Sequence, residues 1–365
     1  SLADAAFVST NSICQGIQVS GLWPAIIKNE TEIRFAYQSF KWANLASHNA
    51  GVTVVIVGLG KNNGFTKRLF TVDPDGSASV RDVVNINPYL VPGSNVFVTP
   101  RTSVMDERTP MQFGNHPYYA NELMLESGEA QALVHDDQRA ATFLRPLYGS
   151  REFISGRPRS CIWITEESIE SAKKISAIWK RVGAVEAARK SKTKDVQAIK
   201  LVNLPHQFRD QYEAKNGLLV VPIVSSEHRP YLPVGLLGPE SIVHNKAFAL
   251  YDAPLWNLAL IASRLHWVWI GTVCARMRTD FSYSNTLGWN TFPVPPLTEK
   301  NRADLTRCAE DILLARERHF PATIADLYDT ETMPSDLRAA HECNDEVLER
   351  IYIGRRFKND TERLE

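Results

Sequence analysis

The run Val52-Thr-Val-Val-Ile-Val-Gly-Leu59 constrains this chain more than any other stretch. A segment so rich in β-branched side chains and free of charge suits a strand covered on both faces. Such a strand needs neighbours, and the sequence offers two. Ala6-Phe-Val-Ser-Thr-Asn-Ser-Ile-Cys-Gln-Gly16 reads as a short apolar strand leading into a polar turn, and Ile33-Arg-Phe-Ala-Tyr-Gln-Ser-Phe40 alternates apolar and polar residues in its first half. Leu22-Trp-Pro-Ala-Ile-Ile27 begins a packed element between them. The group resembles the second half of a nucleotide-binding α/β sheet, and a chain that opens a few residues before a core strand is expected to have lost its beginning.

A chain of 365 residues, 44% apolar and 22% charged, can bury a sizeable core in two or three units. Lys and Arg balance Asp and Glu at 41 each, so net charge gives no global case for a nucleic-acid partner, and any basic surface must be local. Cys14, Cys161, Cys274, Cys308 and Cys343 are isolated, with no CxxC pair and no His at ligand spacing, so no metal site is expected and they read as reduced, mostly buried thiols of a cytoplasmic protein. The most apolar segment, Leu255 to Met277, is interrupted by Arg264, His266 and Arg276, which makes it a buried helix rather than a membrane span.

From Lys61 to Gly93 the sequence turns loop-rich, with Asp73-Pro-Asp-Gly-Ser77 as a turn, and a boundary is expected there. Strands are then expected at Ser94 to Thr99, Cys161 to Thr165, Gly217 to Val224 and Tyr231 to Leu237, the pattern of an α+β recognition domain. Among them Ile175, Ile178, Trp179, Val182 and Val185 recur at helical spacing, with Lys173, Lys174, Lys180 and Arg181 on another face. The stretch 172 to 200 carries nine Lys or Arg against Glu186 and Asp195, so charge is segregated locally. A helix is expected from about Asp252 to Arg278, then the polar-aromatic segment Asp280 to Pro296, then a helical remainder broken around Pro321 to Pro334.

Several motifs invite a catalytic reading and fail it. Gly58-Leu-Gly60-Lys-Asn-Asn-Gly64 has the outline of a dinucleotide loop, but no helix pattern follows it. Asn87-Pro88-Tyr89 lacks the second proline of the Asn-Pro-Pro-aromatic signature of amino-group methyltransferases and lies after the last sheet strand. Glu213-Ala-Lys215 matches only the tail of a nuclease-type metal motif, with no supporting Asp on a preceding strand. No complete set of catalytic residues emerges.

Binding features remain. The turn Ser225-Ser-Glu-His-Arg229 between two strands would hold out Ser226, Glu227 and Arg229, where a carboxylate can accept from cytosine N4 and an arginine can donate twice to guanine. Lys173, Lys174, Lys180, Arg181, Arg189 and Lys190 could track phosphates, with Arg157 and Arg159 as further donors, although a charged exposed helix is equally ordinary. Phe40 and Trp42 end a sheet strand and lead into the polar loop 43–50, the position from which a ring could stack on a base drawn out of a duplex.

Phe7-Val-Ser-Thr-Asn-Ser-Ile-Cys-Gln-Gly16, Phe35-Ala-Tyr-Gln-Ser-Phe-Lys-Trp42, Gly51-Val-Thr-Val-Val-Ile56, Ile86-Asn-Pro-Tyr-Leu90, Gly156-Arg-Pro-Arg-Ser-Cys-Ile-Trp163, Ser225-Ser-Glu-His-Arg-Pro-Tyr-Leu-Pro233 and Tyr283-Ser-Asn-Thr286 together resemble the MmeI-like adenine-specific DNA methyltransferases, bifunctional restriction-modification enzymes. The resemblance implies an α/β remnant comprising the last strands of a class I S-adenosylmethionine-dependent methyltransferase sheet over 1–65. An α+β target recognition domain over 66–300 and a helical segment over 301–365 would follow. It also implies a monomeric parent acting on double-stranded DNA, with S-adenosylmethionine as methyl donor, and Phe40, with Trp42 as alternative, as one wall of a flipped-adenine pocket. Neither the glycine-rich donor loop nor the catalytic Asn-Pro-Pro-aromatic motif is in the chain, so methyl transfer by it alone is not expected.

Two other readings stay open on the sequence: a stand-alone DNA-binding specificity subunit that pairs with a separate catalytic chain, and a nucleotide-dependent enzyme using Gly58 to Gly64. If the family strand order holds, the Val52 strand lies between the Phe7 and Ile33 strands, leaving the Phe7 strand at an exposed edge.

Overall fold

The computed structural model describes residues 4–27, 30–42, 52–62, 64–73, 76–277 and 280–365, and the expected loop 43–50 lies outside these. The first lobe contains β1 (Ala5–Thr10), α1 (Gly16–Ile26), β2 (Thr31–Lys41), β3 (Thr53–Lys61), β4 (Lys67–Val72) and β5 (Ala78–Val83). They form one sheet in the order β1-β3-β2-β4-β5. The β-branched run of β3 is covered by strands on both sides, and β1 is the exposed edge expected of it, with Phe7 and Val8 36% and 49% exposed.

The loop-rich reading of 61–93 is corrected, because β4 and β5 extend the same sheet and β4 runs parallel to β2. Lys67-Arg-Leu-Phe-Thr-Val72 places Leu69 in the core while Arg68 stays in water. Its charges and the turn at Asp73 masked a strand only six residues long. Gly58 and Gly60 are strand residues of β3, not a phosphate loop; a Cβ on Gly58 would meet the Phe35 ring at 2.1 Å. Beneath the sheet, fully buried Trp23 of α1 donates its indole N–H to the Ile13 carbonyl at 2.7 Å and packs with Val19, Ile33, Val55 and Val57.

The middle region runs through β6 (Gln112–Phe113), β7 (Met124–Leu125), α2 (Ser127–Asp136), β8 (Leu144–Tyr148), α3 (Ser150–Ser155) and β9 (Arg159–Ile162). It continues through α4 (Ile169–Lys173), α5 (Ser176–Lys190), α6 (Val196–Leu201), β10 (Leu218–Pro222), β11 (Val224–Ser225), β12 (Gly235–Leu237), β13 (Ile242–Val243) and β14 (Ala247–Tyr251). Ile178, Val182 and Val185 of α5 are buried as their spacing predicts, and Ile175 is its N-cap. Residues 94–99 form no strand, and of 231–237 only β12 does.

The segment expected as one helix over 252–278 is divided into α7 (Trp256–Ile261), α8 (Arg264–Val273) and β15 (Ala275–Met277), followed by β16 (Asp280–Ser282). Ser263 makes the break: its hydroxyl accepts from the His266 N–H at 3.1 Å and starts a new helix, while buried Asp345 accepts the Arg264 N–H at 2.6 Å. The tail folds into α9 (Glu299–Glu317), α10 (Ile324–Leu327), α11 (Ser335–Ile353) and α12 (Asp360–Leu364), and Leu305, Ile312, Leu337 and Leu348 share one core with Leu219, Phe248 and Leu260. All five cysteines are free, four of them buried. Among the described residues no helix is long and apolar enough to cross a membrane.

Candidate functional site

The sheet of the first lobe ends in a cleft of about 620 Å³ against the middle region and the tail. On the sheet side it is lined by Gln38, Phe40 and Lys41 of β2 and by Thr71 of β4. The cause is a fault in the ladder: Tyr37 pairs with Ile56 but Phe40 pairs with Val54, so β2 carries an extra residue there. A bulge breaks the strict alternation of side chains and re-aims the residues after it. Gln38 is held by its neighbours, donating to the Leu90 carbonyl at 2.9 Å and accepting from the Thr71 hydroxyl at 2.8 Å. Tyr37 is ordinary packing, stacked on Phe70 with centroids 4.3 Å apart and planes 6° off parallel. Phe40 is half-buried in the cleft wall, whereas Trp42, 6.2 Å from it, is 41% exposed and outside the lining.

The facing wall is the turn expected to read bases, with Glu227, His228 and Arg229 all lining the cleft. Its strands differ from the simple hairpin expected. β10 pairs with β12, but β11 peels away to pair with β16, Val224 opposite Ser282, so the turn belongs to a separate sheet of order β11-β16-β15. Arg229 donates to the Ser225 hydroxyl at 3.2 Å and has no ion pair among the described residues, and burial holds its guanidinium below the ordinary range. Glu227 is bound by Arg276 at 2.6 Å, and that guanidinium lies 4.4 Å from the Phe281 ring centroid. Ser226 is half-buried, its hydroxyl accepting from the His228 N–H at 3.3 Å.

Two residues of the cleft escaped the sequence reading. Arg276 and Arg264 registered only as interruptions of an apolar run, yet both line the cleft. Arg264 donates to the Pro230 carbonyl at 3.0 Å and pairs with Asp360 of α12 at 2.6 Å, so the tail braces the turn. Thr330 adds a second brace through the His228 carbonyl. A charge inside an otherwise apolar stretch was the available signal, since such a group persists only where it finds a partner or a solvent-filled space.

The basic stretch is not one surface. Arg189, expected to reach phosphate, is fully buried and donates to five backbone carbonyls, which removes it from that set. Lys173 pairs with Glu170, Arg181 with Glu129, Lys190 with Glu186 and Arg159 with Glu152, at 2.6, 2.9, 2.5 and 3.0 Å. Lys174, Lys180 and Arg157 are exposed with no ion pair among the described residues. Asn87 in the sham catalytic motif is structural, its side-chain oxygen accepting from the backbone N–H groups of Tyr89 and Val91 at 3.0 and 3.4 Å.

Comparison with known proteins adds to this geometry. Three family models match consecutive parts of the chain: the DNA-methyltransferase domain of MmeI over 1–71, its target recognition domain over 92–296 and its C-terminal domain over 297–365. DNA methyltransferase A of Bacillus subtilis (strain 168) is 39% identical over 363 residues, 100% of this chain and 41% of that protein. A solved structure of the type IIL restriction-modification enzyme MmeI in complex with DNA is similar with a TM-score of 0.89 at 29% identity, covering 99% of this chain and 48% of that one. The chain therefore spans less than half the length of either.

Proposed function

The chain belongs to the MmeI family, and from that premise we propose that it is the DNA-reading part of a site-specific N6-adenine DNA methyltransferase, contributing one wall of the pocket for an extruded adenine. The observation that carries the reading is the 620 Å³ cleft, which sets Phe40 on one wall and Glu227 and Arg229 on the other. Drawing a base out of a duplex costs a few kcal/mol, and stacking on an aromatic ring returns about 1 to 3 kcal/mol. In this reading Phe40 supplies that ring. Arg229, half-buried and without a carboxylate partner among the described residues, keeps the donors not used on Ser225 for guanine O6 and N7, while Glu227, fixed by Arg276, offers its remaining oxygen lone pairs to an amino donor such as cytosine N4. Lys174, Lys180 and Arg157 contact phosphate in this reading.

The residues present do not fit S-adenosylmethionine, the methyl donor of this reaction. Gly58 and Gly60 sit inside β3, packed against Phe35 and Arg34, and make no cradle for it. No step of the chemistry is therefore assigned to this chain.

The test is a selection from randomised duplexes by the full chain and its Arg229→Ala and Glu227→Gln variants. Each substitution is expected to relax preference at one base position by about 1 to 3 kcal/mol, roughly 5- to 150-fold, and to leave the other positions unchanged. A uniform loss of affinity with the preference profile intact would remove base reading from this turn.

A further inference from the structure

The sheet β11-β16-β15 has two faces, and the cleft already described occupies one of them. Side chains alternate across a strand. Arg276 and Phe281 are register partners, as are Phe281 and Ser225, so these three share the face toward Phe40. Met277 and Val224 belong to the opposite face, which forms a wall of a second groove of about 610 Å³. Phe113 and Ile223 complete its apolar floor, and Arg151, Lys246, Arg209 and His116 stand around it. Phe113 and Met277 are 52% and 57% exposed, large apolar surfaces to leave in water.

Among the described residues no carboxylate lines this groove, although Arg209 is paired beside it with Asp210 at 2.8 Å and Asp280 is the register partner of Met277. Arg151 and Lys246 are exposed with no ion pair among the described residues. Their bases are fixed close together, because the Ser150 hydroxyl donates to the Lys246 carbonyl at 2.5 Å and accepts from the Ile223 N–H at 2.9 Å. A free phosphate would leave the Phe113 and Met277 surface in water, and a purely apolar ligand would strip water from two cations without replacing it. A sugar–phosphate chain alternates anionic and apolar units and satisfies both.

We propose that this groove binds the sugar–phosphate backbone of a DNA strand, with Arg151 and Lys246 on phosphates and Phe113 and Met277 against deoxyribose. The sheet β11-β16-β15 would then stand between two stretches of nucleic acid, its Arg276 face toward bases and its Met277 face toward backbone. The inference rests on the DNA-reading function proposed above and adds a site on the other side of the same strands.

The experiment is a salt titration of duplex binding by the full chain and its Arg151→Ala/Lys246→Ala variant. Each lost phosphate contact lowers the slope of log affinity against log salt by about 0.9, so the double variant is expected to lose about 1.8, equally for all sequences. The charge-preserving Arg151→Lys/Lys246→Arg variant should keep the parent slope, and thermal melting should be unchanged because both side chains are exposed. An unchanged slope in the alanine variant, while Arg229→Ala still alters base preference, overturns the groove and leaves base reading standing. A poly-glutamate competitor that displaces nothing but itself binds through Arg151 and Lys246 would overturn it as well, in favour of an acidic peptide. Failure of the unaltered chain to bind any duplex would overturn both.

Discussion

Replacing Arg189 with methionine is expected to cost about 3 to 5 kcal/mol of stability, the range for uncovering buried polar groups whose charged partner is removed. The guanidinium has five N–H donors and uses all of them. Its Nε donates to Tyr118, its Nη1 to Leu201 and Leu204, and its Nη2 to Pro117 and Gln207, at 2.7 to 3.2 Å. These carbonyls end three separate segments, the turn before residue 120, helix α6 and the loop that follows it; those of Pro117, Leu201 and Leu204 also accept a backbone N–H, whereas the Tyr118 and Gln207 carbonyls depend on the arginine among the described residues. Burial lowers its pKa to about 10, which still leaves it charged at neutral pH. Lysine keeps the charge but brings three donors, so Arg189→Lys should fall between the two. Urea unfolding of the full chain measures both; a methionine variant within about 1 kcal/mol of the parent would show that the five bonds contribute little.

The second large effect is acid lability. His266 and His341 are fully buried, and burial pushes both down to about 3, helped by the Arg108 cation near the first and the Arg316 cation near the second. His266 meets the Tyr283 hydroxyl at 3.0 Å, and His341 meets the Tyr328 hydroxyl at 2.7 Å while stacking on Tyr231. His244 is lowered to about 4, mainly by burial. Above an ordinary histidine pKa of about 6.5 folded and unfolded chains are both neutral at these sites, so the stabilisation is fully present. As pH falls from about 6.5 toward 4 the unfolded chain takes up protons that the folded chain refuses, and each group costs about 1.4 kcal/mol per pH unit.

Asp345 works in the opposite direction. Burial raises it to about 7, so between about 7 and 4 the folded chain holds a proton that the unfolded chain has lost, and stability from this group grows as pH falls. Three histidines against one carboxyl leave a net loss of about 3 kcal/mol per pH unit between roughly pH 6 and 4. Melting temperatures at pH 7, 6 and 5 should fall steeply, and His266→Phe should flatten part of the fall. A level profile across that range would mean that these rings are reached by water.

How much of this was legible in the sequence depended on where each signal came from. The β-branched run of β3, the alternation in β2 and the helical spacing of Ile178, Val182 and Val185 follow from a period along one segment, and the structure keeps them. Strand β4 and the break at Ser263 were missed because their decisive partners, the parallel neighbour β2 and the buried Asp345, lie elsewhere in the chain. The side chains of the site divided in the same way. Glu227 and Arg229 could be named because they lie in a polar turn between apolar runs, although a solvated turn has the same pattern, and Phe40 because it ends a strand. Arg189 was misread because charge alone does not say whether a guanidinium faces water or five carbonyls.

The amino-acid order by itself determined the β2 and β3 strands, the buried face of α5 and the candidacy of Phe40, Glu227 and Arg229, since hydrophobic period and turn chemistry act over a few neighbouring positions. Only the tertiary structure decided which cations are free. It set Arg276 on Glu227, Arg264 on Asp360 and Arg189 on backbone, and it left Arg229, Arg151 and Lys246 without a carboxylate among the described residues. The physical reason is that a charge's partner is fixed by distance in space, over a few ångströms, between residues that the chain separates by tens or hundreds of positions.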